Sequence, residues 1–537
     1  MARRPADTVI VGGRVTTMRT DEINDAQALA VSGDRVAAVG SESEIRALID
    51  DETLVIDVGG RTVIPGLIDA HVHFARAGFT WENEVRWGTV TSLAEGLSLI
   101  AERADSLPPG EWITVIGGWH PFQFAEKQHP TIEDLDRVAP DHPVLVQFLY
   151  EYGMLNTLGK EFVPLERAAA EGVAPDTVEQ DDRGAPTGVV RSQHSLKWLY
   201  AQLPVPSFED QVRSTIAAGR EFARFGITGV IDGGGVNTGP DVYGPIFEVW
   251  RRRELTPRVR LLMHSGGPGA EEAEIGGYLR FIPSRVGDEK LSVLGVGEVI
   301  LWPLHDHVPR PPTITPENVS RAEAIFRDCA GSGRTVQMHI IHPDTTELVI
   351  DMWSRVHAST PIDGLRWTIV HGMSLTEEHY DRLAAMGVGV IGDAMLRMGG
   401  DRFVEIWDPE RFAFAPNLKR LRAAGIEVAV GSDGLRGATY NPFATLQWLT
   451  TGTTLGGLQL WDPDNTLDRV SALSLMTRHA PWFSFEEDTR GVLEPGRLAD
   501  ITVLSEDYFS LPAADLPRIR SDMTMVGGDV VWSSLGN

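Results

Sequence analysis

Short apolar segments alternate with helical patterns along most of the chain. Eight of these segments predict strands: Thr62–His73, Thr228–Asp232, Val259–His264, Val293–Trp302, Thr335–His342, Trp367–His371, Gly387–Asp393 and Glu427–Asp433. Most are near-continuous apolar runs, as expected of parallel strands that are covered on both faces. Eight such strands with intervening helices predict an α/β protein with a (β/α)₈, TIM-like barrel. An open, doubly wound sheet would need a glycine-rich nucleotide turn after Thr62–His73, and none follows.

Both ends of the chain depart from this pattern. Short runs rich in β-branched residues, separated by glycine turns, fill the first 65 residues and recur after Ala499. Such runs predict hairpins, and a small β-domain built from both ends would bring the termini together. We expect this domain to comprise residues 1–64 and 491–537, with the barrel at 65–490.

A long insert, at about residues 78–203, separates the first two predicted barrel strands. It is rich in Pro, Trp and Gly, and we expect it to form a lid or subdomain over the mouth of the barrel.

The composition of the chain limits which molecules the protein can bind. The chain has 537 residues, a formal net charge of −27 and one cysteine, Cys329. So acidic a protein is unsuited to nucleic acid or an anionic membrane surface, which both require clustered cations. One cysteine excludes a disulfide framework and a multi-thiolate metal site, so a metal would need His and carboxylate ligands. Because no charge-free apolar run approaches about 18 residues, we expect a cytoplasmic enzyme with a small-molecule substrate.

The strongest chemical signal is the run Asp69-Ala70-His71-Val72-His73 at the end of the first predicted barrel strand. Residues two apart on a strand face the same side, about 6–7 Å from each other. His71 and His73 can therefore converge on one cation. A solvent-facing pair or a hydrogen-bonded pair in the core is the alternative.

Other strands place similar groups at the same rim. His339 lies in the fifth predicted strand, His371 ends the sixth and Asp433 ends the eighth. Barrel active sites form at the carboxyl ends of the strands. A set of N and O donors with an open position suits a divalent cation, and Zn²⁺ is favoured.

Several motifs together resemble the metal-dependent amidohydrolase superfamily: PGLIDAHVHF, VQMHIIH, TIVHG, VGSD and TRGVLEPGRLADITVL. The insert motifs HPTIEDLDRVAPDHPV and DDRGAPTGVV make the chain similar to the branch that contains N-substituted formamide deformylase. The resemblance extends from about Ala6 to Val531. It implies a barrel with a composite β-sandwich, one or two divalent metals, and hydrolysis of a C–N bond by metal-activated water.

The same resemblance implies roles for individual residues. His71, His73, His339, His371 and Asp433 match the metal ligands of the superfamily. Asp433 is also expected to take the proton from the attacking water and to deliver it to the leaving amine.

One departure from the superfamily pattern concerns strand four. Many members bridge two metals there with a carboxylated lysine, but no lysine lies on any predicted barrel strand of this chain. Glu298 is the only charged residue of the predicted strand, and a buried carboxylate is costly unless it is paired or metal-bound. We expect Glu298 to replace the lysine as the bridging ligand. An ion pair with an arginine, or a different strand register, is the alternative.

The leading functional prediction is a hydrolase of a small linear amide, either an N-substituted formamide or an N-acyl amine. A carbamate, urea or lactam hydrolase, a metal-dependent deaminase, and an inactive scaffold on the same fold are the alternatives. A deaminase is disfavoured because related deaminases usually place Glu shortly after the strand-five His, and His339–Asp344 contains none.

Further residues are candidates for substrate contact. Trp119, His120 and Phe122 of the insert and His264 at the end of strand three are expected to contact the substrate, with purely structural roles as the alternative. His305 and His307 follow strand four in a segment that favours a solvated loop. A homodimer is left open, since tryptophans of the insert could form an exposed apolar face or a core.

Overall fold

The computed structural model describes residues 6–235 and 242–535. The outermost residues of the expected terminal domain, 1–5 and 536–537, lie outside the described residues. Its strands, in chain order, are β1 Thr8–Val11, β2 Arg14–Val15, β3 Ala28–Ser32, β4 Arg35–Gly40, β5 Leu54–Asp57, β6 Thr62–Pro65, β7 Leu67–Val72, β8 Ile113–Ile116, β9 Val144–Phe148, β10 Tyr152–Leu155, β11 Val178–Gln180, β12 Pro186–Arg191, β13 Ile227–Asp232, β14 Arg258–Met263, β15 Val286–Gly287, β16 Leu291–Val296, β17 Thr335–Ile340, β18 Thr368–His371, β19 Gly389–Gly392, β20 Val428–Val430, β21 Ile501–Leu504, β22 Ser521–Val526 and β23 Asp529–Ser533.

Its α-helices, in chain order, are α1 Glu42–Arg46, α2 Phe74–Thr80, α3 Leu93–Ser106, α4 Ile132–Val138, α5 Thr157–Phe162, α6 Gln193–Ala201, α7 Phe208–Arg224, α8 Tyr243–Arg251, α9 Glu271–Phe281, α10 Pro316–Gly331, α11 Pro343–Ser359, α12 Glu377–Ala385, α13 Met395–Phe403, α14 Leu418–Ala423, α15 Pro442–Thr451 and α16 Arg469–Ser474. Of the helices in the described residues, none is both long and apolar enough to cross a membrane.

Eight parallel strands form the centre of the molecule, in the order β7-β13-β14-β16-β17-β18-β19-β20. Every residue of these strands is buried. Burial on both faces is what a barrel surrounded by helices requires, and it explains the continuous apolar runs in the sequence. The predicted (β/α)₈ barrel is thereby confirmed.

The barrel closes where the segment after β20 passes β7. The Asp433 amide donates to the His71 carbonyl at 3.0 Å, and the His73 amide donates to the Gly434 carbonyl at 3.0 Å. A Cβ atom at position 431 would lie 2.4 Å from the His71 nitrogen, so this close approach requires Gly431. The closing contacts thus run through the residues expected to hold the metal.

Three predicted strands have a boundary that is wrong by three residues or more. One of them is strand eight, which ends at Val430 rather than Asp433, so that Asp433 lies in the loop beyond it. The first predicted segment, Thr62–His73, is broken at Gly66 into β6, which joins a terminal sheet, and β7, which begins the barrel. A Cβ at Gly66 would lie 2.3 Å from the Thr228 side chain, so the chain changes sheets where only glycine fits. The fourth strand ends at Val296 rather than Trp302, which leaves Glu298 in the loop beyond it.

The two chain ends contribute to two further sheets, with strand orders β4-β3-β1-β5 and β2-β6-β21-β22-β23. Their apolar faces meet in one core, which includes Ile10 and Val31 from the first sheet and Val63, Ile501 and Met525 from the second. The antiparallel pairing of β6 with β21 joins the N-terminal and C-terminal segments directly.

The insert folds around a sheet of its own, in the order β11-β12-β10-β9-β8. Trp87, Trp119 and Phe124 pack together in its core. Its loop at Gly117-Gly118 lies against the loop after β20, where the Gly118 amide donates to the Arg436 carbonyl at 3.2 Å. Cβ atoms at 117 and 118 would lie within 2.6 Å of that loop's backbone, so both glycines are needed for the contact.

A buried ion pair fastens the barrel to the C-terminal sheet. Arg258, the first residue of β14, contacts Asp500 through two bonds, Nε to Oδ2 at 2.9 Å and Nη2 to Oδ1 at 3.0 Å. Asp500 Oδ1 also accepts from the Gly527 amide at 2.9 Å. Both side chains are almost fully buried, so Asp500 is the close counter-charge of Arg258, with Glu289 farther away at 3.8 Å.

We expect Asp500→Asn to destabilise the protein by about 3–5 kcal/mol, because it removes the close counter-charge of the buried Arg258 guanidinium and leaves it only the weaker contact with Glu289 at 3.8 Å. Urea unfolding followed by fluorescence measures the loss. The control is Glu42→Gln, which breaks the exposed pair with Arg46 and should change stability by less than about 0.5 kcal/mol. The double variant Arg258→Met/Asp500→Leu should lose less than Asp500→Asn. Equal midpoints for Asp500→Asn and Glu42→Gln would contradict this account.

Candidate active site

Two imidazoles at the end of the first barrel strand face a carboxylate from the last. His71 lies near the end of β7 and His73 follows the strand directly. Their Nε2 atoms lie 3.9 Å and 3.1 Å from Oδ1 of Asp433. All three side chains are buried, so the barrel seam holds this group out of bulk water.

Glu298 reaches the same point from the loop after β16. Its Oε2 lies 3.2 Å from Nε2 of His71 and 3.6 Å from Nδ1 of His339. Its Oε1 lies 3.7 Å from Nε2 of His73. Within the part of the chain that the structure describes, its ion-pair partners are these three imidazoles and no arginine. The geometry therefore differs from the alternative of an ion pair at the barrel floor.

His339 and His371 complete the group from the neighbouring strands β17 and β18. His339 is paired with Val370 and Ile340 with His371, so the two histidines are one step apart in register. Nε2 of His371 lies 2.8 Å from Nδ1 of His339. The structure thus brings together all six residues for which the sequence predicts metal binding: His71, His73, Glu298, His339, His371 and Asp433.

Two of these residues have an uncommon backbone conformation. His371 and Asp433 have φ angles of 70° and 52°. Few residues other than glycine adopt this left-handed region, and those that do concentrate at functional sites. His371 is the last residue of β18, whereas Asp433 lies three residues beyond the end of β20, in the loop at the same rim.

Each of the four imidazoles has one nitrogen toward the shared centre and the other toward an outer acceptor. The outer contacts are His71 Nδ1 to Gln337 Oε1 at 3.4 Å, His73 Nδ1 to the Gly234 carbonyl at 2.9 Å, His339 Nε2 to the Asp306 carbonyl at 2.9 Å, and His371 Nδ1 to Asp393 Oδ2 at 2.6 Å. An acceptor on the outer side fixes the N–H there and leaves the inner nitrogen with a lone pair. This is the tautomer that a metal ligand needs.

Sequence reasoning missed these outer partners. Asp393 ends the seventh predicted strand, so its position at the carboxyl end of a strand was an available signal. Asp306 gave no periodic signal, because it lies in an irregular segment. Its buried carboxylate accepts from the amides of Ile341 at 3.2 Å and His342 at 2.7 Å, which fixes the segment against the end of β17.

The buried carboxylates among the six residues require compensating positive charge, either a bound cation or protons on the histidines. Burial by itself would lower the pKa of His71, but Glu298 and Asp433 raise this pKa to about 9. Burial also opposes the charge on His339, whose pKa Asp306 and Glu298 raise to about 10. Burial would raise the pKa of Glu298, yet the surrounding histidines hold it well below its ordinary value.

The donor atoms fit a divalent metal. Two overlapping sets, His71 with Glu298 and His371, and His71 with His73 and Asp433, each place one donor atom per residue within 4.8 Å of the others. His71 Nε2 and Glu298 Oε2 are buried and lie 3.2 Å apart, but their geometry does not make a hydrogen bond, and neither forms one with another described residue. Buried polar atoms without hydrogen bonds are costly, and a metal with N and O ligands would satisfy both.

A cavity of about 500 Å³ opens above this group. His73, Glu298, His339, His371 and Asp433 form part of its lining. The insert contributes Leu149, Tyr150, Glu151, Arg191, Ser192 and Gln193 to its wall. A cavity of this size accommodates a small molecule.

His305 and His307 also line the cavity, contrary to the solvated loop that the sequence favours. His305 is buried, and its ring centroid lies 4.3 Å from that of His339. The prediction failed because the proline and acidic residue beside these histidines are typical of exposed loops, whereas the carboxylate of Asp306 anchors this loop to backbone amides beyond β17.

The structure places the four residues expected to contact substrate elsewhere than in the lining of the cavity. Trp119 lies in the insert core, where its Nε1 donates to the Gln147 carbonyl at 2.7 Å. His120 caps the short 3₁₀-helix Pro121–Gln123, with Nδ1 accepting from the Phe122 amide at 3.1 Å. Phe122 is partly exposed on the outer surface. His264 is fully buried and its Nδ1 contacts the Ser265 carbonyl at 2.9 Å.

Comparison with known proteins adds to this geometry. The family model described as "Amidohydrolase family" matches residues 54–532. The chain is 24% identical over 558 residues to N-substituted formamide deformylase of Arthrobacter pascens, covering 99% of each chain. Its fold is similar to an uncharacterized metal-dependent hydrolase of Pyrococcus horikoshii OT3, with a TM-score of 0.68, 17% identity and coverage of 94% and 99%. It is also similar to atrazine chlorohydrolase of Arthrobacter aurescens TC1 complexed with zinc, with a TM-score of 0.53, 16% identity and coverage of 99% and 97%.

We expect Glu298→Gln to weaken metal binding by about tenfold or more, because it removes the negative charge between the histidines. Elemental analysis after gel filtration measures metal per chain. The control is Glu271→Gln: this side chain is equally buried, but its carboxylate accepts from the amides of Gly269 and Trp302. Glu271→Gln should keep the wild-type metal content. An unchanged metal content in Glu298→Gln would exclude Glu298 as a ligand.

Proposed function

The chain belongs to the amidohydrolase family, and from that membership we propose that it hydrolyses a small linear amide, an N-substituted formamide or an N-acyl amine. The family supports the coarser statement that the protein is a metal-dependent hydrolase of C–N bonds. The relative named N-substituted formamide deformylase supports the finer one. The observation that carries the proposal is the convergence of four imidazoles, Glu298 and Asp433 beside one cavity.

We favour Zn²⁺ as the metal, in one or two copies, since the donors are nitrogen and oxygen atoms. When bound, it would supply an activated water and polarise the scissile carbonyl. His71, His73 and Asp433 would hold one ion, and His339 and His371 a second. Glu298 lies between the two groups, with one oxygen toward His71 and His339 and the other toward His73. This position supports its proposed role as a bridging ligand in place of lysine.

Asp433 is the proposed proton carrier. Burial would raise the pKa of its carboxyl group, but the hydrogen bond from His73 and the charges of His371 and His71 lower it to about 2. The carboxylate is therefore ionised at neutral pH, which is the state that a proton acceptor requires. Asp433 takes the proton of the attacking water and delivers it to the nitrogen of the leaving amine, which departs neutral.

Tyr150 is the proposed donor to the developing oxyanion. Nη1 of the buried Arg76 donates to the Tyr150 oxygen at 2.6 Å, so the proton of the phenol points away from Arg76. A Cβ at Gly437 would lie 3.4 Å from Asp433 Oδ2 and 3.5 Å from the Tyr150 ring, so both side chains flank the same glycine at the cavity wall. A substrate carbonyl between them can accept the phenolic hydrogen bond, which strengthens as negative charge develops.

The insert supplies this tyrosine and also part of the enclosure. Residues 149–151 and 191–193 form part of the lining of the cavity. Excluding bulk water strengthens the electrostatic contacts of the site.

The test of the function is a panel of N-aryl and N-alkyl formamides and acetamides, together with heterocyclic amines as substrates for a deaminase, with organic amine and ammonia measured separately. We expect organic amine as the product, and Asp433→Asn should lower kcat by about 10³-fold, because an amide cannot carry the proton. The control Asp468→Asn alters only the cap of α16, where Asp468 accepts from the Ser471 amide. Release of ammonia would favour a deaminase, and no amine from any member of the panel would contradict the proposal.

We expect Tyr150→Phe to lower kcat by about 10²-fold with little change in KM, since it removes a hydrogen bond that matters most in the transition state. Tyr152→Phe is a matched control on the same segment, because the Tyr152 hydroxyl contacts His129 Nδ1 at 2.8 Å and Tyr152 is not among the residues that line the cavity. A Tyr150→Phe enzyme as fast as Tyr152→Phe would remove Tyr150 from the mechanism.

A further inference from the structure

One wall of the cavity is formed by the loop that carries His305, His307 and Arg310. The amide of His307 donates to the Arg310 carbonyl at 2.8 Å, and the amide of Arg310 donates to the His307 carbonyl at 2.9 Å. This pair of bonds makes a tight turn with Val308 and Pro309 at its tip. Residues directly opposite each other in such a pair project their side chains to the same face. Here that face is the cavity.

Four polar side-chain atoms of this wall have no hydrogen-bond partner among the described residues. Nε and Nη2 of Arg310, Nδ1 of His305 and Nδ1 of His307 are inaccessible to solvent and form no hydrogen bond. Buried donors without acceptors are costly, especially on a charged group. A wall that keeps several of them together is suited to a ligand that brings its own acceptors.

The guanidinium of Arg310 differs from the other arginines that line the cavity. Arg191 is paired with Glu179, and Arg402 is paired with Glu151. Among the described ion pairs none includes Arg310, although Asp306 lies nearby in sequence. The Asp306 carboxylate is already occupied by the amides of Ile341 and His342 and by the ring of His339.

We propose that Arg310, with His305 and His307, binds a carboxylate of the substrate, so that the amide hydrolysed here carries an acidic group close to the scissile bond. The inference rests on the proposed amide hydrolysis and names its substrate class. A guanidinium matches a carboxylate with two parallel hydrogen bonds, and the imidazoles can supply further N–H donors. The ring of His305 lies beside that of His339, which places this subsite next to the proposed metal ligands.

The remainder of the substrate faces an apolar surface. Leu149, Met395, Phe403 and Ile406 also line the cavity. A carboxylate-bearing amide with a hydrocarbon side chain therefore matches both walls, whereas a purely polar amide would leave this second surface without a partner.

The experiment compares racemic N-formyl-leucine and N-acetyl-leucine with the corresponding leucinamides, which keep the shape but remove the charge. For the wild-type holoenzyme we expect kcat/KM to be about 10²-fold higher for the acids, measured as release of primary amine. In Arg310→Met the ratio of acid to amide should fall to near one. In Arg191→Met, which removes a cavity arginine that is already paired, the preference for the acids should persist.

Metal content and circular dichroism establish that the Arg310→Met protein is folded. Should it fold poorly, Arg310→Lys is the second variant, because it keeps the positive charge but cannot donate two parallel hydrogen bonds to a carboxylate. Its ratio of kcat/KM for acids to that for amides should drop about tenfold from the wild-type value. Equal wild-type kcat/KM for acids and amides, or a preference that survives in Arg310→Met, would overturn the carboxylate subsite.

Calorimetric binding of N-formyl-leucine and its amide separates this proposal from the function on which it rests. Acid-selective binding that is lost in Arg310→Met, without turnover of any amide, would support the subsite and overturn the proposed hydrolysis. Turnover of acids and amides at equal rates would support the proposed hydrolysis and overturn the carboxylate subsite.

Discussion

The carboxylates of Glu298 and Asp433, buried among four imidazoles, impose the constraint on which the site depends. Carboxylates in such surroundings are tolerated only with compensating positive charge, either protons on the histidines or a bound cation. The outer acceptors of the histidines favour the cation, because each directs one N–H outward and leaves a lone pair at the centre. The same arrangement of charges therefore underlies both the proposed metal site and the packing of the barrel rim.

The barrel makes this arrangement possible by its closure. Gly431 lets the last strand approach the first, and the amide of Asp433 then bonds to the carbonyl of His71. A substitution at Gly431 would move a ligand and open the barrel at once. Away from the rim, the Arg258–Asp500 pair joins β14 to the C-terminal sheet. The terminal sheets thus support the barrel without taking part in the cavity lining.

Much of this was readable from the sequence for a simple physical reason. Parallel strands buried on both faces produce continuous apolar runs, and the polar residue that ends such a run lies at the rim. That rule located His71, His371 and Asp433, and the lone charge near strand four drew attention to Glu298. The proposed roles of these residues as ligands stay predictions.

The failures have an equally specific cause. The break at Gly66 and the loop from His305 to Arg310 depend on contacts with residues distant in sequence, namely Thr228 and the end of β17. The aromatic cluster of Trp119 looked like a substrate wall, because a tryptophan in a core and one in a pocket give the same local pattern. Tyr150 gave no signal, since its hydrogen bond with Arg76 crosses between the insert and the barrel.

The insert has its own sheet and its own core, yet it contributes Tyr150 and its neighbours to a cavity whose proposed metal ligands all belong to the barrel. Selection can therefore alter which molecules are accepted by changing the insert, while the reactive centre and the folding of the barrel are left intact. Proteins with this architecture can evolve new substrate preferences without changing the residues proposed to carry out the reaction.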